Sequence, residues 1–471
     1  MSPATPALPG PLFFVLFCLA VGMVCYFLHR WSLLSGLVAA GGCLLLGWMS
    51  LRQASGESLK LFGRVWVLYR PFILLGREWA FTPANLSVLT FVLFVCGLAF
   101  LLALPATQGW SFYPFGMAVL AALIMATTAQ QYIYSVLFLW LAAILSVFVL
   151  SGGRPGATAG AMRFLVLTSL AVMPLLTLPG YLVPEAELGA THTATVLMVI
   201  GFAMLLMVVP FHGQLVTIAA HTAPMVPAFM LSAFPPVVFH VLFVLARSHP
   251  ALLQDSLLFD ACRWLGTAAV ALGGLAAAGQ RRWGYLVGYA ALVDWGAGLI
   301  ALGQGTRQGV EWATQMLIWR AFSLLLVGTG LTVAFKAMGQ RDDIADSGGL
   351  LQRRLLGVMA LVYGLLSLSG MPLTPGASGR WPLTIHLLAT APGTGWTLVL
   401  AGVGVAVGTV SGLRACLGPV QGEVKETRFD AVVAMGFASF ALWLIVTFFL
   451  HPAPWLDMMQ RVLDDLSFLA T

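Results

Sequence analysis

Charge is what this chain has least of: Asp, Glu, Lys and Arg together make up 8% of its 471 residues, against about 25% in a soluble globule. Too few charges are present to cover a water-facing surface. With 60% of the residues hydrophobic, the composition excludes a soluble fold and points to a surface that meets lipid. Cysteine is equally sparse. Cys18, Cys25, Cys43, Cys96, Cys262 and Cys416 fall mainly within or beside apolar runs and never in CxxC spacing, so they read as small packing residues, not metal ligands. A Walker loop, a dinucleotide fingerprint and an HExxH helix are also missing. The glycine-rich GVGVAVG at 402–408 sits inside an apolar run, where glycines serve close helix packing. No cofactor and no metal are therefore expected. The net charge of +6 does not indicate a nucleic-acid partner, because the basic residues are scattered through short connections between apolar runs.

What the chain does have is long apolar runs. A helix needs about 20 mostly apolar residues to cross the hydrocarbon core. Runs of that order bounded by Gly, Pro or charge occur at 11–28, 31–49, 84–104, 112–129, 131–151, 161–182, 191–220, 224–246, 258–278, 283–303, 311–338, 350–390, 394–417 and 430–450. The expected fold is an all-α polytopic membrane protein of about fourteen spanning helices. The opening MSPATPALPG carries no charge and lacks the positive flank of a secretory signal, so 11–28 reads as a retained helix. Two runs are too long for one straight helix. The first, 191–220, contains Pro210, and the second, 350–390, contains Gly370, Pro372, Pro375 and Gly376. Both are expected to break mid-span, where freed backbone groups are tolerated only beside protein or a watery cavity. The charged, aromatic stretch between runs two and three, within 52–83, reads as an interfacial β-hairpin.

Twelve Lys and Arg fall on the side reached after odd-numbered helices and nine on the other, five of those nine within 52–77. Setting that segment aside, the bias places both termini on the non-cytoplasmic face. Of the acids, Glu185, Glu187, Asp342, Asp343, Asp346 and Asp465 fall in connections or the tail and read as solvated charges without metal or acid–base spacing.

Three motifs carry a family resemblance. The segment GFAMLLMVVPFHGQLVTIAAHTAPMVPAFMLSAF at 201–234 resembles the PFHxWxPDxxxxAP signature of the antiporter-like subunits of respiratory complex I. LSLSGMPLTPGASGRW at 366–381 is similar to LSLAGxPxxxGFxGKF of the same family, and GYAALVDWG at 288–296 looks like a worn AYSSISxxG. The number of runs, the two breaks and the length fit the subunit N type best; subunit M, multi-subunit sodium/proton antiporters and membrane-bound hydrogenase modules share the fold. The resemblance implies two inverted five-helix repeats with helices 7 and 12 broken. Its divisions would be 1–110 (helices one to three and the hairpin), 111–250 (helices four to eight), 251–418 (helices nine to thirteen) and 419–471 (helix fourteen and a tail). It also implies other membrane subunits as partners, a bacterial inner membrane as location, and redox chemistry confined to those partners. Finally, it implies a proton pathway through buried ionisable groups, whose pKa values are displaced toward neutrality by low dielectric.

This sequence departs from that pathway. The usual glutamate of the fifth helix falls at Leu141, the lysine before the PFH proline at Leu205, and the eighth-helix lysine at or near Pro236. On the twelfth helix the lysine becomes Arg380, which stays protonated and carries protons poorly. Asp294 and Arg320 are the other charges within spans. Two readings stand for them: a structural ion pair that fixes helix packing, or, with Arg380, a surviving half-channel. His212, His221, His240 and His386 could relay protons, since imidazole titrates near neutrality. The alternative for each, and the commoner role of a single histidine, is a satisfied core or helix-end residue, or for His386 a helix–helix hydrogen bond. Three functions remain open: a subunit N-like component with a degraded or rerouted proton path, a cation/proton antiporter or hydrogenase subunit, and a non-transporting scaffold.

Overall fold

A computed structural model of the chain describes residues 9–54, 59–61, 64–66, 70–74, 76–153, 156–182, 188–419 and 428–464; Glu185, Glu187 and Asp465 lie outside them. The chain opens with α1 (Gly10–Phe27) and α2 (Ser32–Ala54), then β1 (Leu59–Leu61), β2 (Arg64–Trp66), β3 (Phe72–Leu74) and β4 (Arg77–Trp79), and α3 (Pro83–Leu102). Next come α4 (Phe112–Thr128), α5 (Tyr132–Ser151), α6 (Ala157–Thr177), α7 (Leu188–Leu205), α8 (Gly213–His221) and α9 (Met225–Ser248). The third group is α10 (Ala251–Gln254), α11 (Ser256–Ala278), α12 (Trp283–Leu302), α13 (Arg307–Ala337), α14 (Leu350–Arg353), α15 (Leu355–Leu368), α16 (Ala377–Thr390) and α17 (Pro392–Cys416). Last are α18 (Arg428–Leu450) and α19 (Ala453–Asp464).

Among the described residues, eleven helices are long and apolar enough to cross a bilayer. Three shorter apolar helices, Phe112–Thr128, Ala190–Leu205 and Leu355–Leu368, stand where the fourth, seventh and twelfth runs were expected. The expected fourteen is reached only by including them. Both long runs break where proline and glycine predicted: α7 ends before Pro210, and α15 ends before Pro372. The layering follows from composition. The windows of α3, α9, α12 and α13 are 89 to 94% buried, whereas those of α1, α11 and α18 are at most 33% buried, so a helix that is apolar all round lies either inside the bundle or against lipid. At 31 residues, α13 spans about 46 Å at 1.5 Å per residue and forms the spine against which α9, α12, α15 and α16 pack. Glycine sets close crossings: a Cβ at Gly266 on α11 would stand 2.7 Å from the carbonyl oxygen of Gly296 on α12, so the two backbones touch as small-residue helix pairs do.

Three expectations are corrected. The 52–83 segment forms two hairpins, β1 with β2 and β3 with β4, not one. Pro71 lies just before β3, and proline cannot donate to a continuous ladder. The C-terminal tail carries a helix, α19, whose Trp455, Met458, Met459 and Leu463 are buried against the bundle; their i, i+3, i+4 and i+8 spacing is an amphipathic pattern. Asp342 and Asp343 are caps, not merely solvated charges. Asp342 Oδ1 accepts from the backbone N–H of Gly284 at 3.0 Å, at the start of α12, and Asp343 Oδ1 from that of Ala345 at 3.0 Å. The carboxylate at the start of α12 satisfies an orphan donor and favours the dipole, and Asp343 caps the short 3-10 turn Ile344–Ser347.

Candidate functional site: a buried charge cluster between two broken helices

A helix that stops inside a membrane protein leaves carbonyls without partners, and both broken helices meet this with the same backbone device. At the end of α15 the N–H of Met371 donates to Leu366 O at 3.1 Å and that of Gly370 to Ser367 O at 3.0 Å. At the end of α7 the N–H of Val208 donates to Ala203 O at 3.0 Å and that of Met207 to Met204 O at 3.2 Å. Each is a Schellman turn, which needs a left-handed residue just past the cap. Gly370 supplies it at φ 71° and Met207 at φ 56°. Glycine at 370 also leaves room, because a Cβ there would collide with Cδ of Arg380. Ser367 Oγ, which accepts from Ser323 Oγ at 2.7 Å, takes the backbone N–H of Gly376 at 3.1 Å and so ties the start of α16 to the end of α15.

Side chains add further donors to the carbonyls at these ends, differently at the two breaks. At α7, Gln214 Nε2 donates to Met204 O at 2.8 Å, and the indole N–H of Trp295 donates to Leu206 O. At α15 the donor is a cation: Arg380 Nη1 reaches Leu368 O at 2.8 Å and Nη2 reaches Val293 O at 3.4 Å. The indole N–H of Trp381 covers Gly370 O at 3.0 Å. Leu368 is the last residue of α15, so the guanidinium sits where the helix dipole is negative. Its planar fork spans two carbonyls as a lysine ammonium would not.

Asp294, two-thirds of the way along α12, and Arg320, near the middle of α13, form a direct ion pair between Oδ2 and Nε. Both are almost wholly buried, at 2% and 4% exposure. The face of Arg320 lies on the Trp295 ring, 4.0 Å from its centroid. The site thus holds one carboxylate and two guanidiniums, with Arg380 bonded to the residue next to Asp294. What this arrangement can do chemically is limited: the carboxylate is engaged by a permanently charged partner, and neither arginine is a proton carrier at accessible pH. A cavity of about 10 Å³ lined by Leu205, Met207, Trp295 and Arg320 separates the pair from the α7 break, at the lower limit for a single water.

The histidines are spread over other parts of the bundle. His212 stands at the N-cap of α8, and its Nδ1 has no hydrogen-bond partner among the described residues. His221 bonds Thr217 O at 3.3 Å and packs edge-on against Tyr285. His240 is buried on α9 and lines, with Pro236 and Trp455, a mostly apolar cavity of about 80 Å³ under α19. His386 is exposed on α16 against Trp312. Of the apolar family positions, Leu205 and Pro236 are buried. Leu141 is 41% exposed on the outer face of α5, so it does not fill the interior. Sequence reasoning missed Trp295 and Gln214. Gln214 lies just past the proline break, a polar residue in an apolar run, whereas a tryptophan inside an apolar run carries no such signal.

Residues 186–407 match the family described as NADH:quinone oxidoreductase/Mrp antiporter, transmembrane. NADH-quinone oxidoreductase subunit N of Ectopseudomonas mendocina (strain ymp) is 30% identical over 278 residues, 56% of this chain and 55% of that protein. Subunit N of Cereibacter sphaeroides (strain ATCC 17025 / ATH 2.4.3) is 30% identical over 284 residues, 58% of this chain and 61% of that one. The chain thus spans little more than half the length of the curated relatives it matches. In fold, a chain of the Mrp complex from Dietzia sp. DQ12-45-1b superposes with TM-score 0.76 at 14% identity, covering 96% of this chain and 97% of that one. A chain of respiratory complex I from Thermus thermophilus gives 0.75 at 15% identity, covering 96% and 100%.

Proposed function

We propose, from the premise that residues 186–407 are antiporter-like in sequence and the chain antiporter-like in fold, that this protein is a subunit N-like membrane component of a complex I-type NADH:quinone oxidoreductase. In this reading it packs beside other membrane subunits in a bacterial inner membrane, with both termini on the non-cytoplasmic face. Residues 111–250 and 251–418 are its two inverted five-helix repeats. Electron transfer belongs to partner subunits. The buried charges Asp294, Arg320 and Arg380 hold the helices of the second repeat in place, and a complete chain of proton carriers is not retained.

The observation that carries this is the bonding of Arg380. Its guanidinium satisfies the carbonyl that ends α15 and one on α12, which is a structural task. An ionisable relay group needs to exchange its proton readily, and a guanidinium holds its proton at accessible pH. The test is Arg380→Ala in the intact complex, scoring the amount of assembled complex and the protons moved per electron pair in what assembles. The expected result is a loss of assembly larger than any loss of pumping per assembled complex. Full assembly with pumping abolished would overturn the structural reading and favour a transport role for the cluster.

A further inference from the structure

Trp295 touches both halves of the molecule at once. Through its N–H it donates to Leu206 O, the C-cap carbonyl of broken α7; through its ring face it supports Arg320, 4.0 Å away. Its neighbour Asp294 holds the same guanidinium from the edge. Arg320 is therefore gripped from two directions by consecutive residues of α12, and only one of those grips depends on a charge that can be removed. The indole has little freedom: it is 3% exposed and packs edge-on against Phe239 of α9 at 5.5 Å. The adjoining cavity of about 10 Å³ leaves room for a small displacement of the ring or head group, about one water in size.

We infer that Trp295 is a positioning residue that couples the charge state of the Asp294–Arg320 pair to the geometry of the α7–α8 break. The Asp294 carboxylate fixes Arg320, the guanidinium fixes the ring, and the ring fixes the Leu206 carbonyl. Where that charge is removed, as in Asp294→Asn, a buried guanidinium must find other acceptors. It tilts away from the ring, and the indole no longer holds that carbonyl in line. The coupling runs equally in reverse: opening the break loosens the ring and weakens the hold on Arg320. The inference goes beyond the assembly role proposed above and requires no proton to cross the protein.

The test labels the purified chain with 5-fluorotryptophan in lipid nanodiscs and assigns the Trp295 fluorine resonance by its absence in Trp295→Phe. Asp294→Asn is expected to shift that resonance and to raise deuterium uptake in the peptide spanning 206–212 several-fold. Trp295→Phe alone should raise the same uptake, and adding Asp294→Asn to it should change nothing more, since coupled residues are non-additive. Arg320→Lys, which keeps charge but loses the flat stacking surface, serves as a second variant and should give the same shift and the same uptake. An unshifted resonance in both Asp294→Asn and Arg320→Lys, or fully additive effects in the double variant, would overturn the coupling. Neither outcome bears on assembly of the parent complex, so failure here is distinguishable from failure of the proposed function.

Discussion

The α7–α8 break and the α15–α16 break pose the same backbone problem and solve it with different chemistry. Both end in a Schellman turn with a left-handed residue past the cap. Neutral donors, Gln214 and Trp295, complete the first, and a buried cation, Arg380, completes the second. The lesson is that a broken membrane helix does not by itself require an ionisable group. What it requires is a donor for each freed carbonyl, and charge is one choice among several. Arg380 bonds directly at the second break, where α12, α13 and α16 meet, while the cavity beside the first is lined by Leu205, Leu206, Met207 and Leu215 together with Trp295 and Arg320.

The sharpest way to break that contrast is to unbalance the charged side. Asp294→Ala leaves Arg320 buried without its carboxylate, and removing one partner of a buried pair costs about 3–5 kcal/mol; thermal unfolding of the purified chain in detergent should show it as the largest loss of this set. Arg380→Ala removes the donor to Leu368 O and Val293 O, and a buried acceptor left unsatisfied costs about 1–3 kcal/mol. Arg380→Lys should recover part of that in the same assay, because one amine cannot span both carbonyls. Gly370→Ala forces a Cβ into a left-handed turn against Arg380, and the left-handed penalty alone is about 1–2 kcal/mol. Scanning the same substitution at the exposed, positive-φ Gly76, where nothing lies within 4 Å, separates the backbone penalty from the clash.

The smallest effect lies away from both breaks, at the start of α11. Burial pushes the Asp255 carboxyl up, but the backbone N–H of Leu257 and the side chain of His192 outweigh it and hold Asp255 below its usual value of 3.8. A carboxylate with a lowered folded-state pKa contributes stability above the unfolded value that is lost as pH falls through the folded one. Unfolding midpoints of the native chain and Asp255→Asn should therefore converge as pH drops below about 4. A constant gap from pH 7 to pH 3 would remove this contribution.

Much of this was legible in the sequence. Runs of apolar residues gave the helices, and Pro210, Pro372 and Gly370 placed the breaks, because proline and glycine act through the local backbone. Asp294 and Arg320 were recognisable as a pair because buried charge has to be matched. What escaped depended on partners distant in sequence. Asp342 caps a helix 58 residues away, Trp295 bonds a carbonyl 89 residues away, and Leu141 proved outward-facing because helical periodicity in a uniformly apolar segment does not distinguish lipid from core. The amphipathic spacing of Trp455, Met458, Met459 and Leu463 was present, hidden in a segment too short and too charged to span.

The central claim, that the buried charges hold structure and do not relay protons, meets its most direct test in the paired replacement Asp294→Leu with Arg320→Met. An apolar pair of similar volume can substitute for a buried ion pair at little or no cost. Protons moved per electron pair by the assembled complex should then match the unaltered complex, with assembly largely preserved. Normal assembly with proton movement abolished would contradict the account.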